Sequence, residues 1–522
     1  MPSIITHLVG SAKKKDLNGV GVGKKLNNKP RMMTFEDEPS DFQSKIPLPV
    51  LISTYLAVLA VKCIGHTRDY FAKFFNLNHF AHLTMQNGMP PLIEIFESFF
   101  ARRLYHRIRD CWNRPTTLVP SRIIHVLERE THDNNETFQL TGRALPLINM
   151  ASYNYLGFAQ GEGPCADAVK KCLRDQPVAI SAPRSRGGTL PIHHELEELV
   201  ADFLGVEDSM ILSMGFATNS LVIPAIASKG TLVLSDELNH TSIRTGCSLT
   251  GVTIQKFKHN DMLDLERLLR ESIVQGQPRT HRPWKNIWVI VEGLYSMEGN
   301  IVRLPKLLEL KEYYKFYLYV DEAHSIGALG PKGRGVCDFW GVDARKVDIL
   351  MGTFTKSFGA AGGYLAGTKK LISHLRKHSI AYNHTEPMQP PICTQVITSL
   401  RIIKGDQCPG EGQKRLIAIR ENSIYFMREL KKMGFLVLGD EGSPIVPVLI
   451  LNPAKISAFS REAMVRGVAS VVVGFPATDI HESRVRFCIS ASHTREDLDK
   501  VLQITSEIGD ILRMKYAKQL IF

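Results

Sequence analysis

The sequence predicts an α/β protein. It has a large domain on a mostly parallel sheet, a smaller C-terminal α+β domain and an N-terminal membrane-anchoring segment. Three observations carry this reading. From about residue 147, short apolar runs alternate with helical stretches, the pattern of strand–helix–strand units that builds a parallel sheet. After about residue 390 that alternation loosens. Well before it, residues 46–65 are apolar over nearly their whole length. The 522 residues suffice for two or three domains with a sizeable core.

Residues 1–45 are polar and rich in Lys, Gly and Asn, which predicts a flexible basic tail. Its "GVGVGKK" has no strand before it and no Ser or Thr after the lysine, so it is not a phosphate loop. Residues 46–65, "IPLPVLISTYLAVLAVKCIG", approach the roughly 20 apolar residues that a spanning helix needs. They start too late for a removable signal peptide and lack its cleavage pattern. The reading is a membrane anchor with Lys62 reaching the interface. The alternative is a helix lying in the membrane plane. Residues 66–146 read as an amphipathic, linking segment. Within it, "PLIEIFESFFARRLYHRIRDCW" places Leu92, Phe96, Phe99, Phe100, Leu104 and Ile108 at helical spacing. Arg102, Arg103, Arg107 and Arg109 take the other face. Such a helix suits packing on the main domain and a membrane surface equally.

Residues 147–390 form the large domain, with strands expected at "SMILSMG", "TLVLSDE", "NIWVIVEG", "FYLYVDEAHS" and "VDILMGTF". Residues 391–522 form the small one, with "FLVLGDEGSPIVPVLIL", "VASVVVGFPA" and "RVRFCISAS" as its apolar runs. No internal repeat is present.

The net charge is +12, and residues 1–129 carry 18 Lys/Arg against 10 Asp/Glu. Basic residues interleaved with aromatics on one face would mark a nucleic-acid binder, and no such motif occurs. A basic region beside an apolar segment fits an anionic membrane surface. The nine cysteines are odd in number and contain no CxxC pair. That disfavours a disulfide framework and a zinc ribbon, and suggests a reducing compartment. No metal site is expected: HExxH is absent, and His193 and His194 read as helix-start residues.

In parallel α/β sheets, ligands collect beyond the C-terminal ends of the strands. Here those ends lead to Phe216-Ala217-Thr218-Asn219, to Leu238-Asn239-His240, to Tyr295-Ser296, to Asp321-Glu322-Ala323-His324, and to Thr353, Thr355 and Lys356. Together they suit an anionic, heteroaromatic ligand. A lysine after a buried strand becomes a nucleophile when it is desolvated or set among cations. Its natural partner is an aldehyde held as a Schiff base. Pyridoxal phosphate needs that lysine, a carboxylate on its ring nitrogen and donors for its phosphate. Asp321 is placed to be the carboxylate, the alternative being a helix N-cap. The Gly215–Asn219 turn, with the Thr218 hydroxyl, can bind the phosphate at a helix start, and Thr353 and Thr355 can add hydroxyls. His240 either stacks on the ring or is a hydrogen-bonded core histidine. Gly359, Gly362 and Gly363 are expected to leave room for close backbone approach beside a bulky cofactor.

These motifs resemble the α-oxoamine synthase family of class II pyridoxal-phosphate-dependent aminotransferases. "SYNYLGFA", "SDELNHTS", "VEGLYSMEG", "YVDEAHSIGALGPKGRGV", "MGTFTKSFGAAGGY", "VVVGFPAT" and "RFCISASHT" are similar, more narrowly, to its lysine-bearing long-chain-base subunits. The likeness spans roughly residues 90–515. It implies the type I (aspartate aminotransferase-like) fold and condensation of L-serine with palmitoyl-CoA, losing CO2 and CoA, to 3-ketodihydrosphingosine. Lys356 would hold the cofactor and move protons at the substrate α-carbon, with Asp321 on the pyridine nitrogen, His324 on the ring oxygen and His240 stacked. Ser296, Thr353 and the Phe216–Ala217 turn would complete the cradle. Family members in bacteria carry an arginine before a Pro-Ala-Thr turn. Here Gly474 and Phe475 precede Pro476, Ala477 and Thr478, so that arginine is absent; the resemblance implies Arg486, in "RVRFCISASH", as the carboxylate contact. The resemblance also implies a lysine-lacking homologous partner and the endoplasmic reticulum membrane, with the catalytic domain facing the cytosol. Rival readings are an α-oxoamine synthase using glycine or alanine with another acyl-CoA, and a non-catalytic scaffold subunit. A soluble aminotransferase is disfavoured by the apolar segment.

Overall fold

The computed structural model describes residues 46–75, 85, 87–91 and 99–517, all within the unit Phe42–Phe522. The basic tail of residues 1–45 lies outside them, as do residues 92–98 of the amphipathic stretch. Strands are β1 (Thr116–Thr117), β2 (Ile123–Glu130), β3 (Gln139–Asn149), β4 (Asp208–Leu212), β5 (Thr231–Asp236), β6 (Thr253–Phe257), β7 (Asn286–Glu292), β8 (Tyr317–Asp321), β9 (Ile349–Thr353), β10 (Gly363–Gly367), β11 (Ile445–Leu451), β12 (Val468–Ala469), β13 (Val471–Val473) and β14 (Ser483–Cys488).

The central sheet has seven strands in the order β4-β10-β9-β8-β7-β5-β6. Pairs β9/β8, β8/β7, β7/β5 and β5/β6 are parallel, while β10 runs antiparallel to both neighbours. Helices cover both faces, so the strands are apolar throughout rather than alternating. Successive side chains still point to opposite sides. Leu232, Leu234, Val289, Val291, Leu318, Val320 and Leu350 enter one core, while Val233, Trp288, Ile290, Tyr319, Ile349 and Met351 enter the other. Each fully buried aliphatic side chain of this kind contributes about 1.5–3 kcal/mol. The helices are closed by local chemistry. Asp261 accepts from Leu263 N and Asp264 N to start Met262–Gln275, and Gly205, at φ 76°, ends Pro191–Leu204.

A three-stranded antiparallel sheet, β11-β14-β13, and a four-stranded one, β1-β2-β3-β12, flank this layer. In the stretch read as linking, β2 and β3 form an antiparallel pair, and β3 pairs with Val468–Ala469. Its strands were hard to see because β3 begins polar, and Thr141 and Arg143 point to water or to Glu128.

One expectation is corrected in length. The apolar helix is Leu48–Phe75, ending ten residues beyond the apolar run 46–65. Polar residues 66–69 do not stop it, because Asp69 is neutralised by Arg103. The glycine-rich stretch after Lys356 holds a strand that the sequence reading did not name, since "GYLAG" is β10. Its glycines answer to the protein's own backbone. A Cβ on Gly359, at φ 61°, would lie 2.6 Å from Ala159 N, one on Gly362, at φ 90°, 2.5 Å from Leu212 O, and one on Gly363 2.7 Å from Gly352 O. Close strand and loop packing accounts for all three.

Candidate active site

The parallel strands deliver their last residues to one rim. Both β4 and β9 are antiparallel to β10, so β4 ends on that rim as well. Glu292, at the end of β7, is in register with Asp321, at the end of β8. Both are buried, at 4 % and 3 % exposure. Three residues beyond β9 comes Lys356, half-buried. Burial lowers its pKa to about 8, helped by the Arg486 charge and opposed by Asp321 and Glu292. Glu292 moves the other way, pushed well up by burial and by the Asp321 charge.

Asp321 is fixed by two donors. Asn219 Nδ2 gives to its Oδ2 at 2.7 Å and Ala323 N to its Oδ1 at 2.9 Å. Asn219 is itself oriented by Tyr319, whose hydroxyl donates to Asn219 Oδ1 at 2.6 Å. The same amide donates to Ser242 Oγ at 3.0 Å, and Ser242 Oγ lies 2.7 Å from His240 Nδ1. His240 Nδ1 also accepts from Ser242 N at 3.2 Å, so the histidine caps helix Thr241–Ser248. Its own N–H donates to Glu292 Oε1 at 2.5 Å. The ring is exposed, not buried in the core, with the edge of Phe216 at a 6.0 Å centroid distance. Burial of its inner side lowers its pKa.

A second cluster surrounds Tyr153. Its ring centre lies 5.7 Å from Lys356 Nζ and 4.8 Å from the Arg486 guanidinium carbon, and meets His324 edge-on at 5.0 Å. His324 is buried and hydrogen-bonded through Nδ1 to the Tyr155 hydroxyl at 2.8 Å. Burial, then Lys356 and Arg486, hold His324 well below its ordinary pKa. Arg486, on β14 and 5 % exposed, donates to Ser296 O at 3.2 Å and leaves its buried Nε without a partner.

Thr353 Oγ1 donates to Gly362 O at 2.8 Å and lies 2.9 Å from Thr355 Oγ1. A Cβ on Gly215 would sit 2.7 Å from that hydroxyl, so only glycine fits between the Phe216–Ala217 turn and β9. The Thr218 hydroxyl is turned away, donating to Met214 O at 2.8 Å. It therefore does not project from the turn, because the helical backbone supplies a nearer acceptor. Ser296 meets the site through its carbonyl.

The rim thus gathers Lys356, Asp321, His240, His324, Thr353, Thr355, Ser296, Phe216, Ala217 and Arg486. Glu292, Ser242, Tyr153 and Tyr155 belong with them and carry no role in the sequence reading, which gave Asn219 only a place in the phosphate turn and not its contact with Asp321. "WVIVEG" ending in a carboxylate was the available signal for Glu292. His193 is buried at the start of its helix, accepting from Leu190 N and donating to Met388 O at 2.7 Å. Away from the rim, Asp479, His481 and Glu482 bring ligand-type atoms within 4.8 Å of one another, but Glu482 is already paired with Arg484 at 2.8 Å.

A doubly covered, mostly parallel sheet with an electrophile-seeking lysine and a buried carboxylate on one rim defines a class, and the family comparison agrees. The family model for aminotransferases of class I and II matches residues 146–504, and the chain belongs to that family. Its fold is the type I fold of pyridoxal phosphate enzymes. Among similar proteins, serine palmitoyltransferase 2 of Schizosaccharomyces pombe is 48 % identical over 93 % of this chain and 79 % of its own. Serine palmitoyltransferase 3 of Homo sapiens is 46 % identical over 96 % of this chain and 91 % of its own. The solved serine palmitoyltransferase of Sphingomonas wittichii aligns with a TM-score of 0.70 at 26 % identity, over 81 % of this chain and 99 % of that one. A structure of SPT with PLP internal aldimine aligns with a TM-score of 0.69 at 25 % identity, over 80 % and 99 %.

The donor set fits pyridoxal phosphate: an amine of low pKa, a buried carboxylate with fixed orientation, two imidazoles, and hydroxyls beside a glycine that a Cβ would crowd. The amine sets a pH dependence. Only neutral Lys356 attacks an aldehyde, and it is neutral above about 8. Uptake of pyridoxal phosphate by cofactor-free protein should accelerate about tenfold per pH unit below pH 8 and level off above it, whereas a lysine at its ordinary pKa of about 10.4 would keep accelerating. Stopped-flow absorbance across pH 6–10 checks this.

Proposed function

We propose that this chain is the lysine-bearing, catalytic subunit of a serine palmitoyltransferase, condensing L-serine with palmitoyl-CoA to give 3-ketodihydrosphingosine, CoA and CO2. The observation that carries the reading is Lys356, of lowered pKa, sharing the Tyr153 ring with buried Arg486 and facing Asp321. Bound pyridoxal phosphate supplies an aldehyde for the amino group and a protonated ring that withdraws the electron pair left at the α-carbon.

The chain's residues do the rest. Asp321, aimed by Asn219 and Ala323, holds the proton on the ring nitrogen. His240, pinned through Ser242 and Glu292, covers one face of the ring, and His324 donates toward the ring oxygen. Thr353, Thr355, Ser296 and the Phe216–Ala217 turn close the cradle. The buried cation of Arg486 attracts the serine carboxylate, its unpartnered Nε offering a donor that a carboxylate oxygen satisfies. Lys356 removes the proton from the serine α-carbon and returns one after CO2 is lost, a task suited to an amine titrating near 8. The cofactor-bearing part is residues 147–390 and the closing part residues 391–522.

The subunit works with a lysine-lacking homologous partner, on the endoplasmic reticulum membrane with its catalytic part in the cytosol. Supporting this is the apolar helix Leu48–Phe75, of mean hydropathy 1.9 over its most apolar 18 residues, which suits an enzyme whose acyl substrate and product partition into lipid. The test is amino-acid choice. With the partner and palmitoyl-CoA present, thiol release should follow addition of L-serine and be at least tenfold slower with glycine or alanine. Preference for glycine would assign a different α-oxoamine synthase.

A further inference from the structure

Helix Leu48–Phe75 is fastened to the same body at both ends. Just before it, Ile46 is 8 % exposed within the core of β11 and β14, and Val50 and Leu51 pack on that core. One turn later the Tyr55 hydroxyl meets His481 Nδ1 at 3.1 Å. Near the other end, His66 stacks on Phe99 at 4.1 Å. A Cβ on Gly65 would lie 2.8 Å from Phe99 Cζ, and Arg103 Nε donates to Asp69 at 2.7 Å. Between these anchors Ala57, Val58 and Val61 line a cavity of about 420 Å³ against Ile456 and Phe475. The buried residues Thr54, Gly65 and Asp69 fall on this one face, as helical periodicity requires.

The opposite face is a different surface. Ile52, Leu56, Leu59, Cys63, Tyr70 and Phe74 recur at helical spacing and are all exposed, Leu56 at 59 %, Tyr70 at 73 % and Phe74 at 77 %. The small hydroxyls beside it are satisfied internally: Ser53 donates to Val50 O and Thr67 to Cys63 O, each at 2.8 Å, so neither offers an unpaired donor to an apolar medium. Lys62 leaves the helix between this stripe and the clamped face, where a long cation reaches anionic headgroups.

Ile46 and Asp69 are separated by about 35 Å of helix, more than the roughly 30 Å of a bilayer's hydrocarbon. If the helix crossed, its ends would lie at opposite leaflets. The body joined to both, with Arg103, Arg107 and Arg461 beside the helix, would then have to sit in hydrocarbon. We propose that helix Leu48–Phe75 lies in the plane of one membrane leaflet, its Ile52–Phe74 stripe in the lipid and its other face clamped to the catalytic body. This rests on the membrane association proposed above and specifies its geometry: the chain is held on one side and does not cross.

The test uses the full chain with its partner in sealed microsomes, carrying one epitope tag at each terminus. Both tags should be digested by added protease without detergent. Depth is read from nitroxide labels at native Cys63, the exposed thiol among the nine, and at Leu56→Cys and Tyr70→Cys made in a Cys63→Ser background. In-plane placement expects equal depths at positions 56, 63 and 70, whereas a spanning helix would spread positions 56 and 70 by about 21 Å. A protected N-terminal tag beside a digested C-terminal one, or graded depths, overturns the in-plane helix and leaves membrane attachment standing. Failure of the intact chain to float with membranes overturns both.

Discussion

Lys356→Ala should abolish turnover, with a loss of at least about 10³-fold, because in the proposed mechanism one side chain supplies both the attachment point and the mobile proton. Absorbance near ~420 nm, expected for a Schiff base on a pyridoxal ring, should vanish with it. Lys356→Arg should fail equally, since the positive charge stays but the nucleophile does not. Neither loss should come from unfolding. The folded pKa of Lys356 is depressed to about 8 from about 10.4 in an unfolded chain, so the unfolded chain binds more protons between those values. Stability linked to this amine is therefore lowest below pH 8 and rises toward pH 10.4. At pH 7 alanine removes a half-buried cation, and the cofactor-free variant should melt no lower than the parent. Steady-state CoA release, absorbance and a thermal melt separate these outcomes.

Asp321→Asn should lower kcat/KM by about 10²-fold or more, the scale seen when a preorganised charge is removed from a reacting centre. The substitution keeps volume and can keep the hydrogen bond from Asn219, which reaches Oδ2 at 2.7 Å. It removes the anion that, on the proposed reading, would hold a proton on the ring nitrogen. Its effect should appear mainly in kcat, with a weaker hold on pyridoxal phosphate read by cofactor titration. An unchanged kcat would reduce Asp321 to a cap of the turn at Ala323, the alternative that its position after a strand left open.

Much of the rim was legible because parallel strands, buried on both faces, read as continuous apolar runs that stop at polar residues. "FYLYVDEAHS" and "VDILMGTF" each give a strand and then its chemistry, and Asp321 and Lys356 lie where those patterns place them. β10 escaped because "GYLAG" carries too few β-branched residues to outweigh its glycines, while β-pairing on both sides makes the strand. The contacts of Asn219 and Ser242 were silent for another reason. Asn219 reads only as part of a strand-to-helix turn and Ser242 as an ordinary helix-start residue, and only packing brings one between Tyr319 and Asp321 and the other against His240. Tyr153 lies about two hundred residues from Lys356 in sequence, so no spacing relates them. The close backbone approach expected at the glycines after Lys356 is present, and the backbone that approaches is the protein's own, at Ala159, Leu212 and Gly352.

The central claim concerns the fate of the serine carbons. L-Serine labelled with carbon-13 at either C1 or C2 is supplied with palmitoyl-CoA to the purified complex, and gas and lipid are analysed by mass spectrometry. The account predicts that C1 leaves as CO2 and C2 is retained in 3-ketodihydrosphingosine, one CoA being freed for each CO2. Retention of C1 in the product, or a labelled keto acid formed without release of CoA, would contradict it.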